Sequence, residues 1–202
     1  ASILIASFGL IGAGLAAYYR GSYTSPFSTY AAYVPTQGIV IILLCAVTLL
    51  AILGGFKRYK SDDEHTGDYL GLILFSLCGA ILMAQPNDLM LFFIGLEILS
   101  IPIYVLVGID KGSSTSAEAA VKYFFTGSFA SAIILFGIAL LYGATGSFQL
   151  IEIQSNLAIG IWQSPMAMIG SLFLLAGFTF KIGAVPFHFW GPDVYDGASN
   201  AV

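Results

Sequence analysis

Charged residues are scarce in this sequence. The 202 residues include 7 lysines and arginines and 11 aspartates and glutamates, so 9% are charged, against about 25% in soluble domains. Hydrophobic residues make up 58% of the chain. This composition excludes an ordinary water-soluble domain. The net charge of −4 favours neither a nucleic-acid partner nor a polybasic lipid-binding surface.

Paired cysteines and nucleotide-binding motifs are also missing. The two cysteines, Cys45 and Cys78, lie in separate apolar runs without the spacing of a metal site or a redox couple, so we interpret both as packing residues. The sequence contains no Walker motif, no glycine-rich dinucleotide fingerprint and no catalytic-triad order. We therefore expect this chain to bind no cofactor and no metal.

The two ends of the sequence carry no terminal signals. Ala1–Tyr19 is apolar from its first residue and has neither an initiator methionine nor a basic leader. Gly191–Val202 follows a motif that should lead into another helix. We expect a single membrane domain over residues 1–202 that forms part of a longer chain.

Long apolar runs occupy most of the sequence, and each is close to the roughly 20 residues that cross a bilayer as a helix. Only helices satisfy their own backbone in lipid without exposed edges, and the alternating polarity of transmembrane strands is absent. The pattern predicts an all-α, polytopic transmembrane bundle. The stretch Gly146–Gln163 mixes apolar and polar residues and predicts a short interfacial helix. The six runs are Ser2–Tyr19, Gly38–Phe56, Tyr69–Ala84, Leu89–Ile109, Ala117–Tyr142 and Met166–Trp190.

The orientation follows from the most basic connection, which contains Lys57, Arg58 and Lys60. Cytoplasmic loops are enriched in lysine and arginine, so we place this connection on the cytoplasmic side. Alternation then puts Asp110–Ser116 on the same side. The connections expected on the opposite side are Arg20–Gln37, Gln85–Asp88 and Ala144–Pro165.

Three ionisable residues lie inside the apolar runs: Glu97, Lys122 and Lys181. Each costs about 2.5–3.5 kcal/mol at a helix centre, so a functional role is the default hypothesis. For Glu97 the alternative is a neutral acid in a structural hydrogen bond. For Lys122 the alternative is a surface pair with Glu118 four residues before it. The small and hydroxyl-bearing residues that follow Lys122 favour a buried role.

Lys181 precedes the likeliest helix break in the sequence. Gly183 relaxes the backbone and Pro186 removes a hydrogen-bond donor, so we predict a broken helix near Gly183–Pro186. Broken helices at membrane depth occur only inside protein or along a cavity, although a lysine that snorkels to the surface is the alternative. His188 follows the break and is a candidate proton relay, because histidine titrates near neutrality, or else a structural hydrogen-bonding group.

The chemistry predicted for these residues is proton transfer. Burial and a neighbouring carboxylate act in opposite senses on the protonation of a lysine, so a buried lysine beside a carboxylate can change its charge. If Glu97 pairs with Lys122 and later releases it, the field at Lys181 changes and a proton is captured or expelled. No cofactor is needed for this process.

Three stretches occur together in a recognisable order: LEILSIPIYVLVG from Leu96, EAAVKYFFTGSF from Glu118, and FKIGAVPFHFWGPDVYDGA from Phe180. They resemble subunit N of the proton-pumping NADH:quinone oxidoreductase and its chloroplast and cyanobacterial counterpart. The PDVYDGA ending favours subunit N over the sibling subunits L and M. The resemblance is strongest over residues 68–198. The family usually has proline where this chain has Ser199.

The resemblance implies an antiporter-like fold of two inverted bundles, each with a broken helix, of which this chain would hold most of the first. By motif position, Glu97 matches the glutamate of the family's Glu–Lys pair, Lys122 matches its partner lysine, and Lys181 matches the central lysine of the broken helix. The implied function is proton translocation coupled to electron transfer elsewhere in the complex.

The resemblance further implies that flavin, iron–sulfur clusters and nicotinamide are bound elsewhere in the complex. It implies that the antiporter-like subunit M and the small subunit K adjoin this protein in the bacterial inner membrane or a thylakoid membrane. The main alternative is a subunit of a multisubunit cation/proton antiporter, and a structural membrane scaffold is the third.

Overall fold

The computed structural model describes residues 2–19, 35–55, 66–110, 112–160 and 164–198. In these ranges the chain forms eight α-helices, joined by turns and one isolated two-residue bridge. The predicted all-α class is confirmed. The helices are α1 (Ser2–Tyr19), α2 (Pro35–Gly54), α3 (Thr66–Met83), α4 (Leu89–Val107), α5 (Ser114–Thr145), α6 (Leu150–Ala158), α7 (Pro165–Lys181) and α8 (Gly191–Gly197).

Four of the described helices are long and apolar enough to cross a membrane: α2, α3, α4 and α5. α1 and α7 are apolar but slightly shorter. The six predicted runs therefore correspond to six apolar helices. α7 ends at Lys181, inside the last apolar run, so the break predicted near Gly183–Pro186 is confirmed. Gly183 follows with a φ of 65°, a left-handed conformation that favours glycine and stops the helix.

The turn before α4 and the connection after α5 lie side by side. The Asp88 side chain caps α4 by accepting from the backbone of Met90 and Leu91. The amide of Leu89 donates to the Phe148 carbonyl at 2.8 Å. The two connections therefore meet at one end of the bundle, as the predicted alternation requires. The basic connection with Lys57, Arg58 and Lys60, the connection Arg20–Gln37 up to residue 34, and Lys111 lie outside the described residues.

α6 lies within the stretch predicted to form a short helix, and it packs on the apolar core formed by α4, α5 and α7. Ile153 is its buried residue and packs with the apolar side chains of α4, α5 and α7. Four residues before α6 begins, Gly146 has a φ of 74° and caps the end of α5. The prediction of a short helix within Gly146–Gln163 is therefore confirmed.

Glycine residues set the distances between the helices around the charged residues. A Cβ atom on Gly79 of α3 would overlap the backbone of α4 at Leu99. Gly137 of α5 and Gly170 of α7 face each other, so that a side chain on either would press on the carbonyl of the other. Such small residues allow close backbone approach where lipid supplies little hydrophobic driving force. These glycines thereby allow α3 to pack closely on α4, and α5 on α7.

Candidate functional site

Glu97 and Lys181 meet between helices. Glu97 lies in the middle of α4, and Lys181 is the last residue of α7. The Lys181 Nζ atom lies 3.5 Å from Glu97 Oε1, and the two side chains are 13% and 24% exposed, respectively. Lys181 points into the bundle, so it does not extend to the surface as the snorkelling alternative required. An oppositely charged pair thus lies inside the apolar bundle.

The amino group of Lys181 faces three acceptors on one side of α4. Its Nζ atom lies 3.5 Å from Glu97 Oε1, 3.3 Å from Ser100 Oγ and 3.0 Å from the Tyr104 hydroxyl. A protonated lysine has three N–H donors, so each of them has one partner. The carbonyl end of α7 adds a favourable partial negative charge beside the ammonium group. The hydrogen-bond partners of the site therefore match the charged form of Lys181, while its burial in the apolar bundle opposes that charge.

Ser131 of α5 supplies the third side of the site. Its hydroxyl donates to Glu97 Oε1 at 2.6 Å, and the Gly127 carbonyl lies 3.0 Å from the same oxygen of Ser131. Ser131 is buried, with 8% of its surface exposed. Glu97 thus accepts hydrogen bonds from both Ser131 and Lys181. Because these partners come from α5 and α7, the carboxylate joins three helices.

The contacts of Ser100, Tyr104 and Ser131 with Glu97 and Lys181 were not predicted from the sequence. Residues three and seven positions after Glu97 lie on the same face of a helix, so helical spacing alone could have identified Ser100 and Tyr104. Ser131 belongs to the hydroxyl-bearing stretch after Lys122, which was interpreted as favouring burial of that lysine. In the structure Ser131 donates a hydrogen bond to Glu97 instead.

Lys122 is placed differently from the prediction. Its side chain is 47% exposed and forms 2.7 Å ion pairs with Glu118 and Asp193. The expected burial and the expected pairing with Glu97 are both wrong for this chain. Lys122 lies only two turns into α5, where Glu118 is its i,i+4 neighbour and α8 brings Asp193 beside it. The surface-pair alternative describes the arrangement.

The helix break separates Lys181 from α8, as predicted. The chain turns through residues 182–190 and re-enters a helix at Gly191. His188 lies exposed in this connection, and its carbonyl accepts from the Gly191 amide at 2.9 Å. Trp190 holds the connection against α7, since its indole N–H donates to the Phe180 carbonyl at 3.2 Å. The relay role of His188 stays a prediction.

The chemistry available at this site is that of an acid and a base. A carboxylate and an amine face each other with hydroxyl groups on either side, and each can gain or lose one proton. Within the described ranges, no three His, Cys, Asp or Glu side chains are grouped as a metal site would require. The arrangement is therefore able to hold and release protons through its own side chains.

Comparison with known proteins gives consistent results. Residues 86–202 match the family described as NADH:quinone oxidoreductase/Mrp antiporter, TM. NADH-quinone oxidoreductase subunit N from Cytophaga hutchinsonii is 39% identical over 202 residues, which cover 99% of this chain and 42% of the relative. Respiratory complex I from Thermus thermophilus with bound aureothin contains a chain that superposes with a TM-score of 0.74 at 29% identity, covering 99% of this chain and 42% of that one.

The Mrp complex from Dietzia sp. contains a similar chain, with a TM-score of 0.73 at 20% identity over 99% of this chain and 39% of that one. At this identity the likeness is one of fold. This chain spans 42% of the length of the Cytophaga relative. The resemblance inferred from the three motifs is confirmed, because the matched residues 86–202 contain all three and make up more than half of the chain. The chain belongs to the NADH:quinone oxidoreductase/Mrp antiporter family of membrane proteins.

Proposed function

We propose that the full-length protein is a proton-translocating membrane subunit of an NADH:quinone oxidoreductase, and that Glu97 and Lys181 carry the proton in this part of it. The observation that carries the proposal is their partly buried pairing at 3.5 Å beside the end of a broken helix. Ion pairs in an apolar bundle are expensive and are typical of proton and ion pathways. The likeness to subunit N supports the choice of complex.

The physical basis of transport is the strong mutual dependence of two charges in a medium of low dielectric constant. At 3.5 Å and an effective dielectric constant of about 20, their attraction is about 5 kcal/mol. Any movement that separates Glu97 from Lys181 therefore removes a large part of what keeps the lysine protonated. The lysine then releases a proton, and it takes one up when the carboxylate returns. Electron transfer elsewhere in the complex would drive this movement.

We assign secondary roles to Lys122 and His188. Lys122 forms an exposed ionic cluster with Glu118 and Asp193, which joins α5 to α8. His188 lies exposed in the connection after Lys181. The role proposed for both residues is to pass protons between the surface of this chain and Lys181. The neighbours proposed for the full-length protein are the antiporter-like subunit M and the small subunit K, in the bacterial inner membrane.

A subunit of a multisubunit cation/proton antiporter is the second candidate. The family description includes Mrp antiporters, and the chain from the Dietzia complex has the same fold. The identity to that chain is 20%, against 39% to the Cytophaga subunit N, which favours the oxidoreductase. Sodium-driven proton exchange by vesicles without NADH would support the antiporter.

The experiment is NADH-driven acidification of inverted membrane vesicles that contain the full-length protein in its assembled complex. We expect Lys181→Ala to reduce the acidification rate to below about a tenth of the wild-type rate, because the proton carrier is gone. NADH oxidation with an artificial electron acceptor, which bypasses translocation, should be unchanged and so control for assembly. A wild-type ratio of protons moved to NADH oxidised in Lys181→Ala would overturn the assignment.

A further inference from the structure

The hydrogen bonds of Lys181 are complete only while it is charged. As an ammonium group it donates to Glu97, Ser100 and Tyr104, and it needs no donor in return. When one N–H bond breaks, its electron pair stays on Nζ as a lone pair, and the proton passes to a water molecule of the pathway. The neutral amine then needs one donor. A buried polar atom without a partner is costly in an apolar environment.

Two of the three neighbours are unable to supply this donor. The carboxylate of Glu97 has no proton while it is ionised, and it already accepts from Ser131. The single hydroxyl proton of Ser100 is used on the Leu96 carbonyl at 2.7 Å, inside the helix. Tyr104 remains, since it has one hydroxyl proton and the shortest contact to Lys181, at 3.0 Å.

We propose that the Tyr104 hydroxyl is the hydrogen-bond partner of Lys181 in both of its charge states, and that it reverses direction when Lys181 loses its proton. The inference rests on the proposed role of Lys181 as a proton carrier. With charged Lys181, the Tyr104 hydroxyl oxygen accepts from Nζ, and the hydroxyl proton points away from the ammonium group. With neutral Lys181, the same proton turns to the lone pair of Nζ. Tyr104 keeps its proton throughout.

The surroundings of Tyr104 fix its ring and leave room for its hydroxyl. Tyr104 is 4% exposed, and the ring of Tyr123 packs edge-on against it with 4.7 Å between centroids. Trp190 stacks on Tyr123 at 4.9 Å. Gly127 of α5 lies beside the hydroxyl, where a Cβ atom would overlap it. The ring is therefore held in place while the O–H bond is able to rotate.

The test compares two variants of the assembled complex that each lose one hydroxyl from the same aromatic cluster. Tyr104→Phe removes the group that contacts Lys181, and Tyr123→Phe is the matched control. We expect Tyr104→Phe to slow NADH-driven proton translocation roughly tenfold, the effect of one hydrogen bond to a charged group, while Tyr123→Phe stays within about twofold of wild type. Equal rates in the two variants would overturn the inference.

Infrared difference spectra of the resting and NADH-reduced complex give a readout that packing alone would not change. We expect a tyrosine C–O band, assigned with ring-labelled tyrosine, that vanishes in Tyr104→Phe and persists in Tyr123→Phe. Absence of such a band in the wild-type complex would overturn the inference. Lys181→Ala separates the two hypotheses: if it translocates protons normally, the proposed function fails. If it is inactive while Tyr104→Phe is normal, only the reversal of Tyr104 fails.

Discussion

Removing only one charge of the Glu97–Lys181 pair should destabilise the protein more than removing both charges. Lys181→Met keeps most of the length of the side chain but leaves the partly buried carboxylate of Glu97 without its counter-ion. Loss of one partner from a buried pair costs about 3–5 kcal/mol. We expect a loss of about 3 kcal/mol in the free energy of unfolding, at the lower end of that range, because Ser131 continues to donate to Glu97.

The double variant Glu97→Gln with Lys181→Met carries neither charge. We expect it to recover about 2 kcal/mol of the loss, since no unpaired charge remains and the glutamine oxygen can still accept from Ser131. The measurement is unfolding of the purified full-length subunit by SDS, followed by circular dichroism. Proton translocation, measured in parallel, should be absent from the single and double variants alike.

Stability and transport should therefore respond differently to Lys181→Met, to Glu97→Gln and to the double variant. Recovered stability without recovered transport would show that the pair is needed for proton movement and not merely for folding. The reasoning is refuted if the effects of the two single substitutions on unfolding add in the double variant, because residues in contact should be coupled. Normal translocation by the double variant would also contradict it.

Two further predictions concern α5 and its neighbours. Lys122→Glu should loosen α8, because it places a third negative charge beside Glu118 and Asp193. Adding Asp193→Lys should restore the packing of α8, as measured by hydrogen exchange of residues 191–197. Equal exchange in the single and double variants would contradict this prediction. Gly127→Ala should slow proton translocation severalfold, because the new methyl group overlaps the Tyr104 hydroxyl. Gly143→Ala, on the same helix, is the control, because its methyl group meets only the flexible end of a side chain. Equal translocation rates in the two variants would contradict this expectation.

The helices could be predicted from the sequence because membrane spans depend mainly on local composition. The boundary at Asp88 was readable for the same reason, since a short acidic side chain after Pro86 favours a helix cap. Hydropathy alone would have continued the last helix to Trp190, but Gly183 and Pro186 predicted the break that follows Lys181. The exact last residue of α7 was not predicted, because hydropathy does not register backbone conformation.

The members of the site could be identified from the cost of burying a charge, but their partners could not. Glu97 and Lys181 are 84 residues apart, and their contact depends on how α7 packs against α4. The motifs predicted that Glu97 pairs with Lys122. In the structure Lys122 instead forms ion pairs with Glu118, one turn away, and with Asp193 on α8. Which lysine reaches the carboxylate is decided by helix packing in three dimensions.

The acceptors of Lys181 all belong to a single helix, α4. Glu97, Ser100 and Tyr104 occupy a sector of α4 about 60° wide. If α4 rotated about its axis by one residue, about 100°, the whole sector would turn away from Lys181 together. The lysine would then lose its partners as a group and not one after another. Such a rotation would make the retention of its proton an all-or-none event, set by the angle of one helix.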